Sequence, residues 1–365
     1  MTDKIYLDHN ATTPLDSSVK EDIIKALDFW QNPSSLNESA NNVFNMIQNA
    51  RCQIAQMCSA KPEGVIFTSG GTESNNWIIE AHDSILEAIA AKERKGLASV
   101  TLIPVDPTTG HVTVESVLEA ITNETALVTI MMANNETGVL QPIVEIYSAI
   151  QQKFGKNRPI LHCDAAQVAG KMNIDTSKLF VDVISIVGHK FYGPRIGALI
   201  LSDSDLPLPP LLYGGKQESG RRSGTENTPM IVGLGSAAKC VNEKMSMQED
   251  LENLRNYFEA SLEETFGDNI IINFKSSPRL PNTSSVSFVG YSYRSRDLLQ
   301  KCHTFYASTG STCHRGEDSP VLRKCGIPYD VASKTVRFSV GKSTTKDEID
   351  IVVKELAKLL NPDEF

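Results

Sequence analysis

Five short apolar runs, each ending in small or polar residues, recur along this chain with helical patterns between them, and that alternation restricts the available folds more than any other feature. The runs occupy 64–69, 98–105, 126–133, 160–164 and 182–188. Near-continuous apolar runs of this length read as strands buried on both faces, the signature of a parallel sheet. Helical periodicity over 114–121 and 143–154 falls between them, so the period is βαβ and the predicted architecture is an open α/β sheet. In such sheets ligands gather at the carboxyl ends of the strands.

The pattern changes near Lys239. Residues 242–266 read as one long charged helix with Leu251, Leu254, Phe258 and Leu262 at helical spacing, a plausible domain connector. Strand-like 283–289 and 335–340 then mix with helix-like 297–302 and 346–360. The expected organisation is a large α/β domain over 15–240 and a smaller α+β domain built from 1–14 and 241–365. No internal repeat or low-complexity segment interrupts it.

A chain of 365 residues has room for a large cofactor site. Its net charge of -9 argues against nucleic-acid backbones and anionic membranes, and no run of about 18 apolar residues offers a membrane span. The opening residues lack an apolar targeting segment, so a cytosolic protein is expected. Seven cysteines, an odd number without CxxC spacing, fit neither a disulfide framework nor a zinc site. No metal is expected, and the default is reduced thiols.

The strand ends carry the chemistry. SGGTESNN, residues 69–76, follows one run and opens a helical pattern, where backbone N–H groups favour an anion. Gly70, Gly71 and the Thr72 hydroxyl suit a phosphate, although a glycine turn capped by Thr72 is an equal reading. Asp164 ends another run with Gln167 three residues on; it is either a partner for a pyridinium nitrogen or a helix cap. Asn135, in the 134–138 turn, offers an amide at a third strand end, or is a simple Asn/Gly turn.

The fourth end is the most telling. Lys190 lies in 188–194, GHKFYGP, directly after an apolar strand. With an ordinary pKa of about 10.4 the amine is a poor nucleophile, but it can tether an aldehyde cofactor as a Schiff base. A solvated loop lysine is the plainer alternative. Further along, Cys313 sits in 308–316 without apolar periodicity, beside His314 and Arg315, which favour a reactive thiolate. Arg337 interrupts a strand-like alternation and is either a clamp for a carboxylate or a strand's solvent-side residue.

Taken in order, residues 6–14 (YLDHNATTP), 32–35 (NPSS), SGGTESNN, NNETG, DAAQ, GHKFYGP, 222–225 (RSGT), GSTC and RFSVG run nearly the length of the chain. With these motifs the sequence resembles class V, fold-type I pyridoxal-phosphate (PLP) enzymes, within them the cysteine desulfurase and selenocysteine lyase group. The resemblance implies a mostly parallel seven-stranded-type sheet with a smaller α+β domain. It assigns Lys190 to the cofactor imine and to proton transfer, Asp164 to the ring nitrogen, and Gln167 and Asn135 to the ring oxygen. Gly71, Thr72 and His189 would hold the phosphate, and Thr225 would reach the phosphate of a second subunit in a homodimer.

His82 would stack on the ring, Asn10 and Arg337 would bind the substrate carboxylate, and Cys313 would attack the chalcogen. The implied reaction converts L-selenocysteine to L-alanine with selenium left on Cys313 for an acceptor protein; the alternative is the same reaction on L-cysteine. Val187 and Asp83 favour the selenium branch. Three rivals stand beside it: a carrier of sulfur or selenium without lyase activity, an aminotransferase with no use for Cys313, and a shortened form with impaired catalysis. The last arises because only five residues, 77–81, separate Asn76 from His82, where the resemblance implies the rest of a helix and a whole strand. A parallel crossover needs about a dozen residues or more. Either His82 is displaced or the sheet is rearranged, with one strand missing.

Overall fold

The computed structural model describes residues 4–82, 99–244, 247–310 and 319–361. Named in chain order, its strands are β1 (Ile5–Tyr6), β2 (Val65–Thr68), β3 (Leu127–Met131), β4 (Ile160–Asp164) and β5 (Val183–Val187). They continue with β6 (Gly197–Leu201), β7 (Ile271–Ile272), β8 (Thr283–Ser287), β9 (Phe305–Tyr306) and β10 (Thr335–Ser339). The helices begin with α1 (Ser17–Ala26), α2 (Glu38–Met57), α3 (Gly71–His82), α4 (Val114–Ala120), α5 (Ile143–Phe154) and α6 (Thr176–Leu179). After them come α7 (Thr228–Glu243), α8 (Met247–Phe266), α9 (Ser295–Lys301), α10 (Pro320–Lys324), α11 (Tyr329–Ala332) and α12 (Lys346–Leu360).

The main sheet has the order β2-β6-β5-β4-β3. β3, β4 and β5 pair in parallel, while β6 runs antiparallel to both β5 and β2, so four strands point one way and one the other. Every residue of β2, β5 and β6 is buried, as their continuous apolar runs require. One face is covered by α3, whose Trp77 and Ile78 pack with Ile66, Val183 and Leu199. Against the other face lie α2, α5 and α7, joined in one apolar core. On α5 the buried Ile143, Ile146, Tyr147 and Ile150 recur at i, i+3, i+4 and i+7, the stripe that makes this segment a helix. α2 and α7 approach so closely that a Cβ on Gly235 would lie 2.5 Å from Ala50 Cα.

Two expectations need correction. Residues 99–105, read as a buried strand, form no strand, and the sheet has five strands among the described residues, two short of seven. A strand forms where its backbone groups find a neighbour, and nothing described pairs with the outer side of β3. Instead Ile103 and Val105 tuck against the core while Leu102 is exposed. The single helical pattern over 242–266 is likewise two helices, α7 ending at Glu243 and α8 starting at Met247.

A second apolar core joins Leu7 to residues from Met247 to Leu360, around the antiparallel sheet β10-β8-β7. α12 closes it with Ile349, Val352, Leu356 and Leu360, and starts at a capping box between Thr345 and Glu348. The N-terminal segment from Ile5 joins this part: β1 pairs with β9, and Asp8 bridges to Ser339.

Candidate active site

Because β2, β3, β4 and β5 share one direction, their carboxyl ends open on the same edge of the sheet, and four of the predicted segments meet there. Lys190 ends a single turn, Gly188–Lys190, directly after β5. Its Nζ donates to the carbonyls of Asn10 at 2.6 Å and Ala11 at 2.8 Å. The same N-terminal segment grips the turn from outside, since Thr13 N donates to His189 O at 2.8 Å and Thr12 Oγ1 lies 3.1 Å from His189 Nδ1. Burial, then the charges of Lys190 and Arg195, push the His189 pKa down to about 4. It is therefore a neutral imidazole at neutral pH.

At the end of β4, Asp164 Oδ2 accepts from Asn75 Nδ2 at 2.7 Å and Oδ1 from Ala166 N at 2.9 Å. Two donors thus hold the carboxylate in one orientation. Beneath it, His162 bridges Thr129 Oγ1 at 2.7 Å and Ser185 Oγ at 2.9 Å, a polar line across β3, β4 and β5. Burial drives the His162 pKa down to about 4 although Asp164 pulls it upward.

The phosphate-type cradle is at the start of α3. An added Cβ at Gly70 meets nothing within 4 Å, so the space above this backbone is open. Behind it, β6 comes so close that a Cβ on Gly197 would lie 2.7 Å from Gly70 C. Thr72 is exposed in the first turn. Glu73 beside it accepts from Ser69 N at 3.0 Å and pairs with Arg222 Nε at 3.0 Å. Burial alone would raise the Glu73 pKa, but the bonds from Arg222 and Ser69 outweigh it and hold the carboxyl below its ordinary value. Thr225 is exposed on the same loop as Arg222.

Around Asn10, whose carbonyl accepts from Lys190, is a buried polar cluster. Gln167 Nε2 donates to Asn10 O at 3.2 Å, and Lys171 Nζ donates to both Asn10 Oδ1 at 3.0 Å and Gln167 Oε1 at 3.2 Å. Asn10 Nδ2 donates to Thr283 Oγ1 at 2.8 Å, and Asn282 Nδ2 donates to Asn10 Oδ1 at 3.1 Å. The amide of Asn10 is therefore held by protein groups, which differs from its expected role of binding a substrate carboxylate.

Arg337, 2% exposed on β10, donates through Nη1 to Asn135 O at 2.8 Å and through Nη2 to Asp8 Oδ1 at 2.6 Å. Its Nε is buried without a partner among the described residues, an unmet donor of the kind a bound carboxylate satisfies. The solvent-side alternative for Arg337 is overturned.

One predicted residue stands apart. His82 is the last residue of α3, about eleven residues and so about 16 Å along the axis from Gly71. That puts its backbone at the far end of the helix from the cradle and on no strand end, against the expectation that it stacks on a ring held there. The physical cause is the short connection after Asn76, which continues as helix. Cys313 lies outside the described residues, but both neighbouring segments come to one place. Ser308 pairs with Arg337, Ser319 Oγ donates to Glu136, and a Cβ on Gly310 would lie 2.7 Å from Glu136 Oε2.

Asn75, Lys171 and Asp8 belong to the site and were missed by sequence reasoning. Their spacing to predicted residues, Asn75 three after Thr72 on α3 and Lys171 four after Gln167 in a turn, does not set them apart from other polar residues. The residues suit pyridoxal phosphate: an open backbone cradle at a helix N-terminus, a doubly hydrogen-bonded carboxylate at a strand end, a lysine between them and a buried arginine with an unmet donor.

Residues 5–352 match the family "Aminotransferase class-V". The chain is 42% identical to the selenocysteine lyase of Rattus norvegicus over 408 aligned positions, which cover 98% of this chain and 94% of that protein. It is 34% identical to the cysteine desulfurase IscS of Clostridium botulinum over 384 positions, 99% of this chain and 95% of that one. Among solved structures, a NIFS-like protein superposes with a TM-score of 0.87 at 29% identity, covering 98% of this chain and 99% of its own. Both alignments exceed the 365 residues available here, so internal stretches of the two relatives have no counterpart in this chain.

Proposed function

The chain belongs to the class-V aminotransferase family of pyridoxal-phosphate enzymes and has their fold-type I architecture, and we propose that it decomposes L-selenocysteine to L-alanine, leaving selenium on Cys313. The observation that carries the reading is the buried, unmet Nε of Arg337, set beside the Asn10 segment that holds Lys190. It suits the α-carboxylate of an amino acid.

Bound pyridoxal phosphate supplies an electron sink for the bonds at the substrate's α-carbon. In this reading the start of α3, Thr72 and neutral His189 would hold its phosphate, and Asp164, oriented by Asn75, would pair with the ring nitrogen. Arg337 orients the substrate by its carboxylate, and Lys190 Nζ takes the proton from the α-carbon. The thiolate of Cys313 attacks selenium, so that the Sγ–Se bond forms as the Cβ–Se bond breaks, and alanine departs after Cβ gains a proton and Lys190 returns one to the α-carbon. Its loop is supported in this role by Ser308 on Arg337 and by Gly310 and Ser319 beside Glu136. Selenols ionise more readily than thiols, which eases the selenium reaction near neutral pH. The likeness to IscS over 99% of the chain favours, as the second reading, the same steps on L-cysteine.

A homodimer is part of the proposal. Trp30, Leu36 and Tyr213 are 83%, 103% and 84% exposed, apolar surface of the kind a second copy covers, and Thr225 lies exposed on the loop after Arg222. Light scattering would read a single-chain mass if this is wrong. A cytosolic location and transfer of selenium to an acceptor protein complete it; fractionation and recovery of selenium on an added acceptor thiol test them.

The deciding experiment incubates purified, folded protein with pyridoxal phosphate and follows visible absorbance and alanine release. The wild type is expected to colour and to release alanine from L-selenocysteine. Lys190→Ala should lose the colour, whereas Cys313→Ala should keep it and lose alanine release. Protein that stays colourless overturns the reading, and faster release from L-cysteine moves it to the second one.

A further inference from the structure

Lys171 is a lysine 5% exposed, spent on no step described above. Burial first, and the positive charges of Lys190 and Arg337 next, depress its pKa well below the ordinary lysine value. Keeping an amine in such a place is costly, so its hydrogen bonds are informative. Both end on side-chain amide oxygens, those of Gln167 and Asn10. Amide oxygen and nitrogen are nearly isosteric, and which of them faces a given direction is set by the partners. As the donor in both bonds, Nζ draws the two oxygens toward itself and leaves both NH₂ groups turned away.

For Asn10 the NH₂ then meets Thr283 Oγ1. For Gln167 one N–H meets Asn10 O and a second stays available. We propose that Lys171 is a positioning residue for the cofactor ring: by holding Gln167 Oε1 it makes Gln167 present an N–H, and not its carbonyl, to the ring oxygen. The inference rests on the cofactor reading above and adds a residue to it. A donor on that oxygen stabilises its anionic form and eases loss of the neighbouring imine proton. Without Lys171 the amide is held by its bond to Asn10 O alone, and its carbonyl turns more easily toward the ring oxygen.

The test titrates the visible band of the holoenzyme against pH in wild type, Lys171→Met, Gln167→Leu and the double variant, with far-UV circular dichroism on each. Lys171→Met is expected to raise the band's midpoint by about one pH unit and to weaken cofactor binding about tenfold. In the Gln167→Leu background the same substitution should shift the midpoint by much less, because the route through Gln167 is already gone. If Lys171→Met does not fold, Lys171→Leu, which likewise has no donor, replaces it with the same expectation. An unchanged midpoint, or an equal shift in both backgrounds, overturns the role. A wild type that never colours overturns the cofactor reading together with it, so the two failures are distinguishable.

Discussion

Arg337 carries two demands at one side chain. It must remain buried and charged, and it must keep a donor for a substrate. Asp8 and Asn135 O meet the first demand and leave Nε for the second. Burial raises the Asp8 pKa, with Arg337 and then Lys190 pulling it back toward the ionised form. Arg337→Lys keeps the charge but loses the planar fork. KM for the amino-acid substrate is expected to rise about tenfold or more while the visible band of the bound cofactor persists, which steady-state kinetics and absorbance on one preparation would check. Lys190, Asp164 and Thr72 could be picked out in the sequence because each stands where an apolar run stops. Asn75 and Lys171 could not be told from other polar residues, since their partners, Asp164 and Asn10, lie 89 and 161 residues away.

α3 shows what a short connection does. Its first turn forms the cradle and its last residue is His82, so one straight helix separates two residues expected to share a ligand. His82→Ala is accordingly expected to leave the visible band and cofactor affinity nearly unchanged; a large loss of colour would restore the stacking role. The α2 and α7 pair makes a different demand. Gly235 lets the two backbones approach, and a larger side chain there must displace Ala50. Gly235→Val is expected to cost about 1–3 kcal/mol by overpacking, read as a drop in the denaturation midpoint in urea. Helices with one apolar face, such as α5, were legible from periodicity. The 99–105 segment was not, because a strand-like composition does not guarantee a neighbour.

The two cores meet along the N-terminal segment. Asp16 caps α1 through Ser18 N and also pairs with Lys342, which follows β10 by three residues, so one carboxylate bonds both parts of the molecule. The hydrogen bond from Lys342, against a smaller opposing effect of burial, holds the Asp16 pKa down to about 2. A depressed carboxylate stabilises the fold above its unfolded value of about 3.9, and that stabilisation is lost as pH falls through about 2. Asp16→Asn should therefore flatten the acid limb of the stability curve between about pH 4 and pH 2, measured as denaturation midpoint against pH. If the limb keeps its slope, other carboxylates govern it.

What could be read directly from the order of residues was everything local: where apolar runs end, which turns follow them, and which polar residues stand at those ends. These placed Lys190, Asp164, Asn135 and Thr72 on one sheet edge, because strand direction and the βαβ repeat leave little choice. Contacts between distant segments could be found only in the packed chain. Those contacts gave Asn10 to Lys171 and Thr283 and set Asp8 against Arg337. The reason is physical: periodicity reports which side of an element is buried, whereas the partner a buried polar group finds depends on which elements are pressed together.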